Sequence, residues 1–314
     1  MNWYKSIRRW SVACAALLAV GACEMGQMTS TMPQARPEGL SDSQTLTPSI
    51  ESVELSQYFT QVQSAQLSQG LLRQDGGGPD TPFTADMLAR NFEQIVFYNE
   101  YASALQGRGG KSPLRRWERP VRVDVMFDNT VPAEERARDE QAARAYVTRL
   151  ARVTGHSISN YGTPNFVVIF ANEDGRDAAL DAAAARIPGM TPESLNPLRD
   201  LGRDTYCAVA AYASGPQTYD YSAAVAVIRT ENPTLLRLSC IHEEIAQGLG
   251  LANDSRNARP SIFNDDDEFS LLTNHDELLL KMLYDPRLKP GMTAREAEPL
   301  TRIIARELTV EGSL

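Results

Sequence analysis

The stretch CIHEEIAQGLGLANDS, residues 240–255, decides what kind of fold this chain adopts. It lies in a segment with the local signals of a helix, because Asn232 can cap the first turn and Pro233 suits the first helical position. Good helix-forming residues continue through residues 235–249. Gly250 then supplies the positive φ at which helices end in a sharp turn. The sequence therefore predicts a helix that stops at Gly250 and a chain that doubles back after it.

Polar side chains line one side of this predicted helix. Glu243 and Gln247 are four residues apart and so share a face, whereas Glu244 points about a quarter-turn away. Because the chain reverses after Gly250, we expect Asn253 to lie near Glu243 and Gln247.

The residues upstream alternate between strand-like and helix-like patterns. A strand-like segment, a long helix that ends at Gly155, and four further strand-like segments follow one another through residues 119–230. Residues 173–204 form a loop-rich insert with an Ala-rich helical piece. The expected fold is α+β (α/β-like), with a mixed sheet of about five strands, a backing helix, the helix described above and a C-terminal helix.

The amino terminus has the pattern of an export signal. Lys and Arg residues precede an apolar stretch, residues 11–22, that is too short to span a bilayer. The stretch ends in Val-Gly-Ala-Cys, which resembles a bacterial lipobox with Cys23 as the lipid anchor. A plain secretory peptide cut near Ala22 is the alternative. By resemblance to Gram-negative lipoproteins, Glu24 indicates the outer membrane of the cell envelope, facing the periplasm.

Three regions are expected along the chain. Residues 1–22 are a lipoprotein signal peptide, and residues 23–80 are a lipid-anchored flexible tether rich in Ser, Thr, Gln and Pro. Within that tether, residues 52–73 can form a short amphipathic helix. Residues 81–314 form a single globular domain.

Charge and cysteine content narrow the function classes. The net charge of −9 argues against nucleic-acid binding, because phosphate neutralisation needs a basic face.

Once Cys14 leaves with the signal and Cys23 becomes the anchor, Cys207 and Cys240 remain as a pair. In an oxidising envelope we expect them to form a disulfide, and two buried free thiols are the alternative.

The quoted stretch resembles the zinc-binding motif of the metzincin clan of zinc endopeptidases, His-Glu-x-x-His-x-x-Gly-x-x-His-Asp. With Gly250 as the anchor, the resemblance places Glu243, Gln247 and Asn253 at the three ligand positions. It places Glu244 at the catalytic carboxylate. The resemblance implies a zincin-like domain in which every zinc-binding His is absent.

The resemblance extends downstream of the helix. Asp254 matches the acid that follows the third ligand, and PSIFNDDDEF is similar to the Met-turn segment with Phe263 at the methionine position. Residues 271–288 resemble the closing helix with its Leu-Thr-x-x-Asp start. Together with LARNFEQIVFYNEY and LRRWERPVRVDV, these segments also resemble an uncharacterised family of proteobacterial lipoproteins, domain of unknown function 2927. That second resemblance implies an envelope lipoprotein and no particular activity.

The donor set predicts that tight zinc binding is lost. Zinc prefers deprotonated nitrogen, thiolate or carboxylate donors, and only Glu243 offers one. Gln247 and Asn253 offer neutral amide oxygens. We therefore expect no cofactor, with a hard metal ion held by oxygen ligands, Asp254 among them, as the alternative.

We expect none of the three histidines to replace the missing zinc ligands. His242 is followed four residues later by Ala246, which is no ligand, so we expect His242 to be a side chain on the flank of the helix. We expect His156 and His275 to face solvent.

Three functions are consistent with these residues. The favoured one is a non-catalytic binding or scaffold module that holds a peptide or envelope protein beside the sheet edge. The alternative is a peptidase-like hydrolase that uses Glu244 with an atypical metal. A purely structural lipoprotein is the third.

Overall fold

A computed structural model describes residues 47–98, 110–213, 215 and 218–311. The predicted signal peptide and Cys23 lie outside these residues. None of the helices in this described part of the chain has the length and apolar character needed to cross a membrane.

A five-stranded mixed sheet forms the centre of the domain, as predicted. Its strands are β1 (Val121–Phe127), β2 (Ile158–Ser159), β3 (Phe166–Ala171), β4 (Cys207–Ala213) and β5 (Tyr221–Arg229). The spatial order is β2-β1-β3-β5-β4, and only β4 runs antiparallel to its neighbour. The continuous apolar run FVVIFA of β3 is buried throughout, as expected for a central strand covered on both faces.

Seven α-helices of the described residues surround this sheet. They are α1 (Ile50–Ser68), α2 (Ala85–Val96), α3 (Ala133–Thr154), α4 (Arg176–Arg186), α5 (Thr234–Leu249), α6 (Asn274–Leu283) and α7 (Ala294–Glu311), with a short 3-10 helix at Pro192–Leu198. The backing helix α3 ends at Gly155 with φ 66°, and the Ala-rich helix α4 lies in the insert, as predicted.

The sheet separates two apolar cores. Side chains of β3 alternate between them, with Phe166, Val168 and Phe170 on one face and the residues between them on the other. Helices α2, α3, α5, α6 and α7 contribute to the larger core, and α4 with the 3-10 helix covers the smaller one. Helix α5 therefore lies directly against the sheet.

A disulfide between Cys207 and Cys240 joins β4 to α5, with their Cα atoms 5.9 Å apart. This confirms the predicted pairing and excludes two free thiols in this state. Near the other end of α5, a Cβ at Gly248 would lie 2.5 Å from the Phe166 ring. Only glycine therefore lets the helix approach β3 this closely.

The amino-terminal boundary of the domain lies earlier than predicted. Helix α1 falls within the segment expected to be flexible, yet its Leu55 and Phe59 are fully buried beside Leu236 of α5. Its Gln63 side chain accepts a hydrogen bond from the Leu236 N–H at 3.2 Å. The folded domain therefore begins at about residue 50 and not at residue 81, because two large apolar side chains of α1 are buried in a third, small apolar cluster with Leu72 and Leu236.

Candidate functional site

Helix α5 ends as the sequence predicts. Gly250 follows its last residue with φ 127°, and a Cβ there would lie 2.6 Å from the Arg115 carbonyl oxygen. The Trp117 indole donates to the Gly248 carbonyl at 2.8 Å, and the Tyr284 hydroxyl donates to the Leu249 carbonyl at 3.0 Å. Two side chains thus satisfy carbonyls that a helix end leaves open.

The start of α5 differs by one residue from the expectation. Pro233 occupies the N-cap position, and its side chain makes no capping bond. The Asn232 side chain, expected to cap the helix, instead donates to the Tyr206 carbonyl at 2.9 Å. Asn232 therefore connects the helix start to the start of β4.

The positions that match metzincin ligands make different contacts in the fold. The Gln247 amide lies 3.5 Å from Asp254 Oδ1, so the reversal after Gly250 does bring these two together. The Asn253 amide donates to the Gln94 carbonyl of α2 at 2.9 Å and to the Asp254 carbonyl at 2.7 Å. Asn253 is therefore turned toward α2, which the local sequence could not reveal.

Glu243 and Glu244 lie beside the disulfide. One oxygen of each carboxylate and the Cys207 sulfur are all within 4.8 Å of one another. Glu244 is buried, whereas Glu243 is half-buried and reaches solvent. The two acidic side chains thus meet β4 at the disulfide, a proximity that the sequence does not signal.

Strand β4 lies at the edge of the sheet next to these carboxylates. Its residues after Cys207 are half-buried, and β5 pairs with one side of it. Burial raises the pKa of Tyr206, just before β4, to about 12, and the acidic groups Asp267 and Glu243 add to this. The Tyr206 ring packs edge-on against Phe59 of α1 with centroids 5.3 Å apart, so this end of β4 borders α1. We call residues 206–213 with Glu243 the β4 rim.

His242 is a packing residue. Its ring stacks on Tyr146 with centroids 4.1 Å apart, and its Nδ1 accepts the Leu272 N–H at 3.0 Å. Burial, helped by the charge of Arg149, lowers the pKa of His242 to about 3. It is therefore neutral in the fold, and its Nδ1 lone pair is engaged.

The other two histidines differ from expectation. His275, predicted to face solvent, is fully buried, with Nε2 3.0 Å from the Asn91 amide nitrogen. His156 is half-buried, with Nε2 2.9 Å from the Arg119 carbonyl oxygen, and burial lowers its pKa. Tertiary packing that brings α2 over α6 encloses His275.

Asp276 organises the segment that resembles the Met-turn. This fully buried carboxylate accepts from the Ser261 hydroxyl at 2.5 Å, the Ile262 N–H at 3.0 Å and the Thr273 N–H at 3.0 Å. With Thr273 it forms a capping box at the start of α6. Phe263 follows this anchored turn and lies fully buried in the larger core. The Thr-x-x-Asp pattern signals the helix start in the sequence, but only the fold shows that Asp276 also anchors Ser261 and Ile262.

A comparison with protein-family models matches residues 85–303 to the family described as "Protein of unknown function (DUF2927)". No curated protein and no solved structure matches the chain.

Proposed function

The chain belongs to the DUF2927 family, and we propose that it is a lipid-anchored cell-envelope protein that binds a peptide or another envelope protein without cutting it. In this proposal its domain is a degenerate, zincin-like relative of metalloproteases. The observation that carries the proposal is the engagement of Gln247 and Asn253 in contacts within the protein.

The donor chemistry argues against a zinc peptidase. Amide nitrogens of Gln247 and Asn253 point to Asp254 and to the Gln94 carbonyl, and neutral amide oxygens are weak zinc donors. Without a metal to lower the pKa of its water, a carboxylate at Glu244 has little leverage on a peptide bond. We therefore favour binding without cleavage.

The β4 rim is the proposed binding surface. An edge strand can accept an extended peptide as an additional strand, with main-chain hydrogen bonds for affinity and alternate side chains for specificity. Strand β4 stands at the edge of the sheet and pairs with β5 on one side, so its other side is the place for a partner strand. Because Glu243 and Asp267 both act on Tyr206, we expect the peptide to carry a basic side chain at that end.

Chain order supports the zincin-like assignment. Strand β1, helix α3 and then four strands precede α5, with α4 in the insert between β3 and β4. This is the order that the metzincin resemblance implies.

The lipobox ending at Cys23 supports the lipid anchor. Replacing Cys23 with Ala should release the protein from the membrane fraction, and unchanged lipidation would rule the anchor out.

Strand addition can be tested with paired peptides. Basic decapeptides are screened by fluorescence anisotropy against the full chain carrying Cys23→Ala, and each binder is remade with N-methyl groups at odd or at even positions. Because alternate N–H groups of a strand point to opposite sides, only one set should lose affinity, by at least about tenfold for several lost hydrogen bonds. Equal affinity of both sets, or no binder at all, would contradict the proposal.

A peptidase-like hydrolase using Glu244 is the second candidate, favoured by the closeness of its carboxylate to that of Glu243. Bound metal is measured and the same peptides are incubated with and without chelator. One tightly bound metal per chain, with chelator-sensitive cleavage that is lost in Glu244→Gln, would make this candidate the better one.

A further inference from the structure

Two cysteines and two carboxylates converge where α5 meets β4. Cys240 lies three and four residues before Glu243 and Glu244, so all three occupy neighbouring positions on one side of α5. Cys207 is bonded to Cys240 across the gap to β4. Its sulfur and one oxygen from each carboxylate lie within 4.8 Å of one another. This cluster is separate from the contacts that Gln247 and Asn253 make.

We propose that reduction of the Cys207–Cys240 disulfide converts this cluster into a binding site for a divalent metal ion of the zinc type. A disulfide sulfur is a poor ligand, whereas a thiolate is among the donors that zinc prefers. Reduction therefore supplies two sulfur donors beside the two carboxylates. Two sulfurs and two oxygens make up a four-coordinate set.

The distances suit such a site. Zinc bonds of about 2.3 Å to sulfur and about 2.0–2.2 Å to oxygen place tetrahedral donors roughly 3.3–3.8 Å apart. The Cys207 sulfur and the two carboxylate oxygens, within 4.8 Å of one another, need to approach by about an ångström. The two sulfurs, bonded to each other in the oxidised protein, must instead move apart to about 3.8 Å once reduced. Side-chain rotation supplies both movements. Cys207, Cys240 and Glu244 are buried, and half-buried Glu243 leaves a route from solvent.

The redox step requires a dithiol reductant. Two electrons from the dithiol break the S–S bond, the donor closes its own disulfide, and Cys207 and Cys240 become thiols with the donor's two protons. Metal binding then releases these two protons as the thiols become thiolates. The site is thus open to metal only in the reduced protein.

The experiment uses the full chain with Cys14→Ser and Cys23→Ser, so that of its four cysteines only the pair remains. Oxidised protein and protein reduced with a phosphine are titrated with Zn²⁺, and metal per chain is measured by mass spectrometry after dialysis. Titration with Co²⁺ reports thiolate ligation by its charge-transfer absorption. We expect one metal per chain when reduced and less than about a tenth when oxidised, with circular dichroism showing a folded chain in both.

Substitutions test whether the two carboxylates are zinc ligands. Glu243→Gln with Glu244→Gln should weaken zinc binding of the reduced protein at least about tenfold. Glu140→Gln, which changes a half-buried carboxylate on α3, and Gln247→Ala should leave it unchanged.

Three results would overturn the proposal: no zinc on the folded reduced chain, a reduced chain that stays unfolded with or without zinc, or zinc binding that is indifferent to the double variant. If Gln247→Ala lost as much zinc affinity as the double variant, the proposal would also be overturned, because the metal would then lie at the metzincin-like positions. None of these results depends on peptide binding at the β4 rim.

Discussion

Mild acid should weaken the fold through His242. Burial lowers the pKa of this side chain from 6.5 to about 3 in the folded protein. The folded state therefore holds fewer protons at this site than the unfolded chain whenever the pH lies between these two values. A depressed pKa contributes stability that is present above the unfolded value and is lost as the pH falls toward the folded one.

The size of the effect follows from the two pKa values. At pH 5 the unfolded chain has His242 almost fully protonated, whereas the folded chain keeps it neutral. Between pH 7 and pH 5 this difference lowers the free energy of unfolding by about 2 kcal/mol. Burial raises the pKa of Glu231, and the effect of that shift on the pH dependence of stability has the opposite sign.

A matched variant isolates the effect of the histidine. Glutamine at position 242 does not titrate and can accept the Leu272 N–H that His242 Nδ1 accepts. Urea unfolding of wild type and His242→Gln is measured at pH 7, 6 and 5 with the disulfide intact. The free energy of unfolding of wild type minus that of His242→Gln should fall by about 2 kcal/mol between pH 7 and pH 5. Parallel losses in both proteins would refute the reasoning.

Three further substitutions test the structure around α5. Gly250→Ala should cost roughly 1–3 kcal/mol, because φ is 127° and the new Cβ meets the Arg115 carbonyl; an unchanged melting temperature would contradict this. Arg237→Met should cost about 1–3 kcal/mol, because buried Asp139 loses the guanidinium 3.2 Å away and keeps only the more exposed Arg138, 3.1 Å away; Asp139→Leu in the same chain should recover part of this cost in chemical denaturation. Asp276→Ala should cost at least about 3 kcal/mol, because two buried N–H groups lose their acceptor; calorimetry showing less than half of this would argue against that network.

Local rules determined much of this fold. Apolar runs with strand periodicity predicted the five strands of the sheet, and Gly155 predicted where α3 ends. Gly250 alone predicted where α5 ends, because glycine lacks a Cβ and adopts a positive φ at little steric cost. The pairing of Cys207 with Cys240 followed from elimination and from the expected oxidising envelope.

Only the tertiary structure decided which polar groups meet. Asn253 has the same spacing from Gln247 whichever way it turns, and α2 supplies the Gln94 carbonyl that orients it. His275 is buried because α2 covers α6. Glu243 and Glu244 lie beside Cys207 because β4, far away in sequence, forms the sheet edge next to α5. Such contacts depend on how distant segments pack, and no local pattern encodes that packing.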